Sequence, residues 1–530
     1  MTTRRLASIT AGLAFLAAFA ASPARAQETV LRVAMTAGDI PVTAGMPDQG
    51  FEGFRFVGYN LYDALVGWDL SRSDVAADIK PGLAESWAID PSNNRRWIFR
   101  LRQGVKFHDG SPFTAADVVW NFERYTREGA PQFNARQFAF ARPYLGNFES
   151  IEAVDEHTVA ITTKQTDSLL PYNMSFLMMV SPRRSAEVNN DADAFARNPS
   201  GTGPWRFSRM VPGERLELVR NPDYWDRARV PKTDRLVLLP MPEASTRTAA
   251  LLSGQVDWVE APAPDAIPRL RSSRMQIVTN AYPHNWSYQL NFVDGPFADV
   301  RVRRAANHAL NRPDFKEMLG GVALESYANL PPGTPYYGNP TRYEYNPQRA
   351  RALLQEAGCL PCRVTLAIST SGSGQMQPLP MNELVKAQLE AAGFQVTLQT
   401  MDWNALLQVG RDGRQRHQGV HGINISRSLQ DPFNGMFRFV WSRQAAPAGS
   451  NWGHYNSPEM DALIDQALST FDPSARNAIL ARVHEKMSED AVMLWVVHDL
   501  NPRAMSPRVR GFVQAQSWFQ DLTPITMSAR

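Results

Sequence analysis

Apolar and polar positions alternate along the chain in two different rhythms. Residues 97–101 read Trp-Ile-Phe-Arg-Leu, the two-residue period of a strand. The turn string Asp-Gly-Ser-Pro follows at residues 109–112, and Thr114 with Asp117 forms a capping-box pattern that starts a helix. Segments of both kinds recur through the whole chain, which predicts a mixed α/β protein.

A second stretch of the same alternation is sharper. We predict a strand over 364–368, a helix over 383–392 closed by Gly393, and a strand over 396–400. Two strands joined through one helix form a βαβ unit, whose strands are parallel and whose crossover is right-handed. Further helices are predicted over 56–66, 458–469 and 473–489, and a final buried strand over 492–498.

The N-terminus has the pattern of a cleaved secretory leader. Arg4 and Arg5 precede an almost wholly apolar run to residue 21, and Ala24-Arg25-Ala26 has the small-x-small form of a signal peptidase site. We therefore predict a signal peptide over 1–26 and export to the periplasm. The leader carries three of the 55 basic residues and no acidic one, so the rest of the chain has as many basic as acidic residues, 52 of each. A chain without net positive charge gives no basic surface for nucleic acid.

The chain of 530 residues is too long for a single core, which predicts two or three domains. Its two cysteines, Cys359 and Cys362, follow a predicted helix and precede a strand. In an oxidising compartment a local disulfide is the favoured state. Free thiols, a redox pair and a metal site remain alternatives, although a redox pair normally opens a helix and two thiols do not complete a zinc site.

Several short segments, in order along the chain, resemble the periplasmic solute-binding proteins of ABC importers, family 5, the dipeptide-, oligopeptide- and nickel-binding type. Each segment alone is a weak signal, whereas the ordered set is specific. The segments are LYDALV (61–66), PGLAESW (81–87), residues 97–124, GTGP (201–204) with NPDYW (221–225), LLSGQVD (251–257), residues 290–305 and residues 346–358.

The resemblance implies a two-lobed periplasmic-binding-protein fold of the cluster C type, with a two-strand hinge and a ligand cleft between the lobes. We expect lobe one over 27–283, with an extra subdomain inserted over about 72–200. Lobe two is expected over 284–490, and the residues 491–530 are expected to return to lobe one. The lobes of such a fold close about the hinge on the ligand.

The same resemblance locates the ligand site. Peptide-binding members hold the ligand α-amine with an Asp three residues before an Asp-Pro pair, and here Ser428 stands at that position before Asp431-Pro432. A serine hydroxyl bonds an ammonium but brings no charge, and a buried ammonium without a counter-ion costs several kcal/mol. Either the ligand has no free amine there, or Glu52 or Asp431 replaces the missing acid.

Other candidate ligand contacts complete the predicted site, each with a structural alternative. Arg427 is suited to a ligand carboxylate or phosphate, or is a solvated loop arginine. The loop of Gln49, Phe51 and Glu52 is placed to line the cleft. Trp403, Trp452 and Phe51 supply apolar walls or pack in the core, and Asp431 binds ligand or only caps a turn.

The sequence favours a binding protein over an enzyme. It lacks the GxSxG, HExxH and phosphate-loop patterns, and His108-Asp109 reads as part of a turn. We predict a monomeric, cofactor-free carrier that delivers a small, peptide-like ligand to a membrane permease. A non-peptide metabolite, such as an opine or sugar conjugate, a chemoreceptor-linked sensor and a periplasmic hydrolase are the alternatives.

Overall fold

The computed structural model describes residues 28–370, 372, 374–413 and 416–528. The predicted signal peptide therefore lies outside the described residues. Within them, no helix combines the length and apolar character that a membrane span requires. In chain order the strands are β1 (Val30–Met35), β2 (Val66–Trp68), β3 (Ile79–Pro81), β4 (Ala84–Asp90), β5 (Asn93–Leu101), β6 (Phe148–Asp155), β7 (Thr158–Thr163), β8 (Trp205–Val211), β9 (Arg215–Arg220), β10 (Arg235–Pro240), β11 (Trp258–Glu260), β12 (Gln276–Val278), β13 (His284–Leu290), β14 (Ala323–Glu325), β15 (Cys362–Ser369), β16 (Phe394–Met401), β17 (Gly422–Ser428), β18 (Met493–Asp499), β19 (Arg503–Met505), β20 (Val509–Arg510) and β21 (Thr526–Met527).

Helices cover the sheets and connect their strands. Short helical turns are common, and a π-helical turn over Phe54–Gly58 joins the first two helices. The α-helices are α1 (Phe51–Gly53), α2 (Tyr59–Leu61), α3 (Ala115–Thr126), α4 (Ala135–Ala141), α5 (Leu170–Asn173), α6 (Pro182–Glu187), α7 (Ala192–Ala196), α8 (Ala244–Leu252), α9 (Ile267–Ser272), α10 (Val300–His308), α11 (Arg312–Met318), α12 (Pro347–Glu356), α13 (Pro378–Ala391), α14 (Trp403–Asp412), α15 (Arg438–Val440), α16 (Pro458–Ser469) and α17 (Pro473–Glu489).

Two large sheets organise the molecule. The first has seven strands in the order β12-β19-β11-β1-β10-β9-β8, and the second has six in the order β14-β18-β13-β17-β15-β16. In the first sheet, β1 pairs in parallel with both β10 and β11. We call the first sheet with the elements packed on it lobe one, and the second sheet with its helices lobe two.

The predicted βαβ unit is confirmed in lobe two. Strands β15 and β16 pair in parallel from Cys362 opposite Phe394 to Ser369 opposite Met401, with α13 between them in sequence. The first strand begins at Cys362, the second of the two cysteines. Cys359 and Cys362 form a disulfide, with their Cα atoms 4.7 Å apart.

A four-stranded antiparallel sheet, β4-β5-β7-β6, forms a separate layer beside lobe one. It contains the predicted strand at Trp97, and α3 begins with the predicted capping box. The backbone N–H of Thr114 donates to the Asp117 carboxylate at 2.7 Å, and the side chains of the same two residues are bonded at 2.8 Å. This sheet falls within the predicted subdomain over 72–200, whose limits stay a prediction.

The predicted helix over 56–66 is wrong in its bounds. Helical turns cover residues 51–61, and the chain is already extended at Tyr62 before β2 begins. The early start includes Gly53, where a Cβ would lie 1.9 Å from the Asp48 carbonyl oxygen, so the chain packs tightly against residue 48 there. A side-chain pattern does not reveal that close approach.

The chain passes between the two sheets at two places, from β12 to β13 and from β18 to β19. Tyr282 in the first passage donates its hydroxyl to the Asp499 carboxylate, at the end of β18, at 2.9 Å. Because β18 pairs with β13 inside the second sheet, we move the proposed return to lobe one from residue 491 to about residue 500. The other lobe limits remain predictions.

Asp499 gives these passages a pH-dependent contribution to stability. Burial raises the pKa of Asp499 from its ordinary 3.8 to about 6, so between these two pH values the folded state binds more protons than the unfolded state. The unfolding free energy should therefore fall as the pH rises from 4 to 6, by about 2 kcal/mol from this group. Asp499→Asn should remove that decline, which denaturant unfolding at several pH values measures.

The matched control is Asp265→Asn, because Asp265 is exposed on the surface of lobe one. Its stability should follow the wild-type pH profile. If Asp499→Asn also runs parallel to the wild type between pH 4 and 6, Asp499 does not titrate in this way.

Candidate functional site

The two lobes touch where the loop after β17 meets the C-terminal part of the chain. The Gln430 side-chain oxygen accepts hydrogen bonds from the Trp518 backbone N–H at 2.9 Å and from the Ser517 hydroxyl at 3.0 Å. Residue 518 belongs to lobe one, since its carbonyl oxygen accepts a 3.0 Å hydrogen bond from the side chain of Arg55. The two predicted halves of the site therefore adjoin at Gln430.

Lobe one presents a wall of aromatic rings at this contact. The predicted residue Phe51 is part of it, with its ring centroid 5.6 Å from that of Phe176 and 6.3 Å from that of Trp518. Tyr144 stacks on Phe176 at 4.5 Å. Most of the rings are buried in the core of lobe one, whereas Phe51, Tyr59 and Tyr144 are only half-buried and are suited to contact apolar or aromatic ligand groups. We define the aromatic wall as Phe51, Phe54, Tyr59, Tyr144, Phe176, Trp518 and Phe519.

Lobe two presents Ser428 and Asp431 at the end of β17. Asp431 is buried, and its two carboxylate oxygens accept hydrogen bonds from the backbone N–H and the side-chain amide of Asn434, at 2.9 and 2.8 Å. It thus caps the helical turn that begins at Phe433, the structural alternative considered for it. Burial raises its pKa, and these hydrogen bonds act in the opposite direction. The Ser428 hydroxyl is buried and has no partner among the described residues.

Arg427 is a buried arginine and not a solvated one. It is 5% exposed, its guanidinium donates to the Ser287 hydroxyl at 2.7 Å, and its carbon lies 4.4 Å from the Phe439 ring centroid. Its Nε and Nη1 atoms have no partner among the described residues. Burial, with the positive charge of Arg438, lowers the pKa of Arg427 to about 9, still above neutral pH.

Glu52 in α1 and Gln49 just before this helix are two further predicted residues. Glu52 is 5% exposed and accepts a 2.6 Å hydrogen bond from the Thr36 hydroxyl. Gln49 is half-buried, has a positive φ of 60° and donates its side-chain amide to the Asp39 carbonyl at 2.9 Å. Of the predicted residues Gln49, Phe51 and Glu52, Phe51 is the one whose ring belongs to the aromatic wall.

Trp403 and Trp452 lie together, away from the aromatic wall. Both pack in a small apolar cluster of lobe two that also contains Ala367, Leu406 and Ile423. Trp452 is only 1% exposed. These contacts support core packing for the two tryptophans, and a role as cleft walls stays a prediction.

Several residues of this region have no signal in the sequence that would have identified them. Gln430 lies between two predicted residues but has no distinctive motif of its own. Tyr144, Phe176 and Trp518 come from three segments that are remote in sequence from Phe51, so no local pattern signals their contact. The same holds for His284, whose ring lies 5.1 Å from that of Trp518 and stacks on Tyr282.

Two cavities formed by the described residues are separate from Ser428, although the first borders the aromatic wall at Tyr59. A small one of about 40 Å³ is lined by Tyr59, Trp68, Lys80 and Arg229, and an open depression of about 640 Å³ on lobe two is lined by residues such as Phe292 and Tyr455. Neither contains Ser428. Among the described residues, no group of His, Cys, Asp and Glu is arranged to hold a metal ion.

Comparison with known proteins gives one consistent family. Residues 78–450 match the model of the bacterial extracellular solute-binding proteins, family 5 Middle. The chain is 28% identical over 462 residues to the heme-binding protein A of Haemophilus influenzae, covering 83% of this chain and 82% of that protein. It is 27% identical over 534 residues to the di/tripeptide-binding protein 2 of Pseudomonas aeruginosa, covering 97% and 98% of the two chains.

A solved structure agrees with the sequence relatives. The periplasmic binding protein DppA of Helicobacter pylori, in complex with the peptide STSA, superposes with a TM-score of 0.79 at 25% identity, covering 94% of this chain and 98% of that one. The expected two-lobed α/β fold is thus confirmed. Because the family model spans well over half of the sequence, the chain belongs to family 5 of the bacterial extracellular solute-binding proteins.

Proposed function

We propose that this protein is the periplasmic binding component of an ABC importer, which captures a peptide-like ligand between its lobes and delivers it to a membrane permease. It acts as a monomer and without catalysis. The relatives support the ligand class, since two of them are named as a di/tripeptide-binding protein and as a protein in complex with a peptide.

The observation that carries the proposal is the chemistry where the lobes meet. An aromatic wall from lobe one adjoins a loop of lobe two whose buried polar groups, including the Ser428 hydroxyl and the Gln430 amide nitrogen, have no partner among the described residues. Buried polar groups in native proteins are normally hydrogen-bonded. A ligand with amide groups and apolar side chains satisfies both surfaces at once, which is the composition of a short peptide.

Binding should be measurable as stabilisation. A ligand that binds only the folded protein raises the unfolding free energy by about 2.7 kcal/mol at a concentration one hundred times its Kd. We expect a pool of di- to pentapeptides to raise the Tm of the purified, ligand-stripped protein, and mass spectrometry of the protein purified from the periplasm to recover peptide-like molecules. A pool of free amino acids is the control for unspecific stabilisation.

The aromatic wall should matter for this shift. Phe51→Ala should reduce the peptide-induced rise in Tm, because it removes a half-buried ring that contacts Phe176 and Trp518. Tyr345→Ala removes an aromatic side chain that is 49% exposed elsewhere on the surface and should leave the shift unchanged. No shift with any peptide, together with a non-peptide molecule in the mass spectrum, would contradict the proposed ligand class.

A further inference from the structure

Four buried polar atoms, one of Ser428 and three of its neighbours, have no hydrogen-bond partner among the described residues. Ser428 pairs with His284 across strands β17 and β13, and the His284 ring lies 5.1 Å from the ring of Trp518. Gln430 in turn accepts from the backbone N–H of Trp518 at 2.9 Å, so these residues form one neighbourhood between the lobes. The four atoms are Ser428 Oγ, Gln430 Nε2, Trp518 Nε1 and His284 Nδ1.

Most of the unpartnered groups in this neighbourhood are hydrogen-bond donors. The orientation of the Gln430 amide is fixed, because its oxygen already accepts two hydrogen bonds and only the NH₂ group remains. The indole nitrogen of Trp518 is a donor only, and the Ser428 hydroxyl acts as donor or acceptor. These groups are matched by oxygen atoms of a ligand and not by an N–H group.

The charges in this neighbourhood also disfavour a ligand ammonium. Arg427 is a buried cation that precedes Ser428 in β17, so its side chain points to the opposite face of the sheet. It acts on this neighbourhood through its charge, which also affects His284. Burial, together with the positive charges of Arg55 and Arg427 and of His498 when protonated, lowers the pKa of His284 to about 3, so the imidazole is neutral at pH 7. A ligand ammonium here would lose its water and gain no counter-charge from Ser428, Gln430, Trp518 or His284, and that loss is expensive.

Two carboxylates in the surroundings are already engaged. Both oxygens of Asp431 accept from Asn434, and those of Asp499 accept from the Tyr282 hydroxyl and the Asn501 backbone N–H at 2.9 Å each. Binding an ammonium through either would require these internal hydrogen bonds to break or to be shared.

We propose that the ligand places an oxygen acceptor beside Ser428, either the carbonyl of an N-acylated peptide or a free carboxylate, and not an ammonium group. This inference rests on the proposed function, because it specifies which peptide-like ligands the same site selects. It assigns selectivity to Ser428, Gln430 and Trp518 as donors and to Arg427 as the source of positive potential.

The direct test uses the wild-type full-length mature protein. Ligand-stripped protein is incubated with an equimolar mixture of a random tetrapeptide pool with free amines and the same pool Nα-acetylated, and retained peptides are quantified by mass spectrometry. We expect the acetylated pool to be enriched about tenfold or more, the effect of one buried group left unpaired. Enrichment of the free-amine pool, or equal retention that C-terminal amidation does not weaken, overturns the inference while leaving peptide binding intact.

Two further results are informative in the same experiment. C-terminal amidation of both pools separates the two oxygen sources, since it weakens retention only if the carboxylate is the group beside Ser428. Retention of neither pool above a buffer control contradicts peptide binding itself, and with it this inference.

Variants at Ser428 test the role of charge. Ser428→Asp adds the missing acid and should shift the enrichment about tenfold toward the free-amine pool. Ser428→Asn introduces a side chain of nearly the same size as aspartate but without its charge, and this variant should not produce that shift. If both variants change the ratio equally, side-chain size rather than charge controls selection and the electrostatic part of the inference is wrong. The wild-type result stands independently if the Asp variant fails to fold.

Discussion

Replacing Glu260 by glutamine is expected to lower the unfolding free energy by about 3–5 kcal/mol, the cost of leaving buried charges without their partner. Glu260 is 1% exposed and lies between two arginines. Its carboxylate accepts from Arg55 Nη1 at 2.7 Å and from Arg503 Nε at 3.1 Å. The side chains of those arginines are only 4% and 1% exposed, so water does not take over the role of the lost charge.

This loss should also reach the proposed site. Arg55 donates its Nε–H to the Trp518 carbonyl at 3.0 Å, and its guanidinium carbon lies 4.6 Å from the Trp518 ring centroid. Without the Glu260 charge, the Arg55 guanidinium is held less firmly in this position. Its hydrogen bond to Trp518, and with it the placement of the Trp518 ring in the aromatic wall, should then weaken. We therefore expect Glu260→Gln to weaken the peptide-induced rise in Tm as well as the stability.

Denaturant unfolding at pH 7 measures the stability effect. The matched control is Asp74→Asn, which removes an acid from the exposed ion pair with Arg72, where both side chains are more than half exposed. Exposed pairs contribute little, so this variant should unfold like the wild type. Equal unfolding of the Glu260 variant and the wild type would show that the buried cluster is not a net source of stability against loss of one partner.

Gly203→Ala should be strongly destabilising. A Cβ at this position would lie 2.5 Å from the Leu61 carbonyl carbon and 2.6 Å from the Tyr62 nitrogen, both backbone atoms that do not move independently. The Gly203 N–H also donates to the Leu61 carbonyl at 3.1 Å, which fixes the two chains together. We expect a loss of about 3 kcal/mol, at the upper end of overpacking effects.

The control for this substitution is Gly146→Ala. Gly146 is exposed, and a Cβ there would meet no heavy atom within 4 Å. Urea unfolding of both variants should therefore give a large shift in midpoint for Gly203→Ala and almost none for Gly146→Ala. A small effect at Gly203 would mean that residues 60–62 relax away at low cost.

The close approach of Gly203 to residues 60–62 gives a physical reason for a glycine in the GTGP segment. The GTGP segment packs on residues 60–62, Thr202 donates its hydroxyl to Asp63 at 2.9 Å, and His108 Nε2 lies 3.0 Å from the Gly203 carbonyl oxygen. Burial lowers the pKa of His108 to about 4, so the ring is neutral at pH 7. These contacts support the turn interpretation of His108-Asp109 and give it a packing role against the GTGP segment.

The sequence by itself determined the features that depend on neighbouring residues. The period of apolar positions gave the strand at Trp97 and the βαβ unit, because side chains repeat every two residues in a strand and every 3.6 in a helix. Thr114 and Asp117 set the start of α3 through a hydrogen bond between residues only three positions apart. The ordered motifs also sufficed to indicate the family.

Only the tertiary structure decided the features that join distant segments. The aromatic wall combines residues from 51 to 519, the buried cluster combines Arg55, Glu260 and Arg503, and Gln430 meets residue 518. No local period encodes such contacts, since they depend on how the sheets pack. Burial likewise decided that Arg427 lies inside lobe two and that Trp403 and Trp452 pack together, because a side chain's identity does not fix its surroundings.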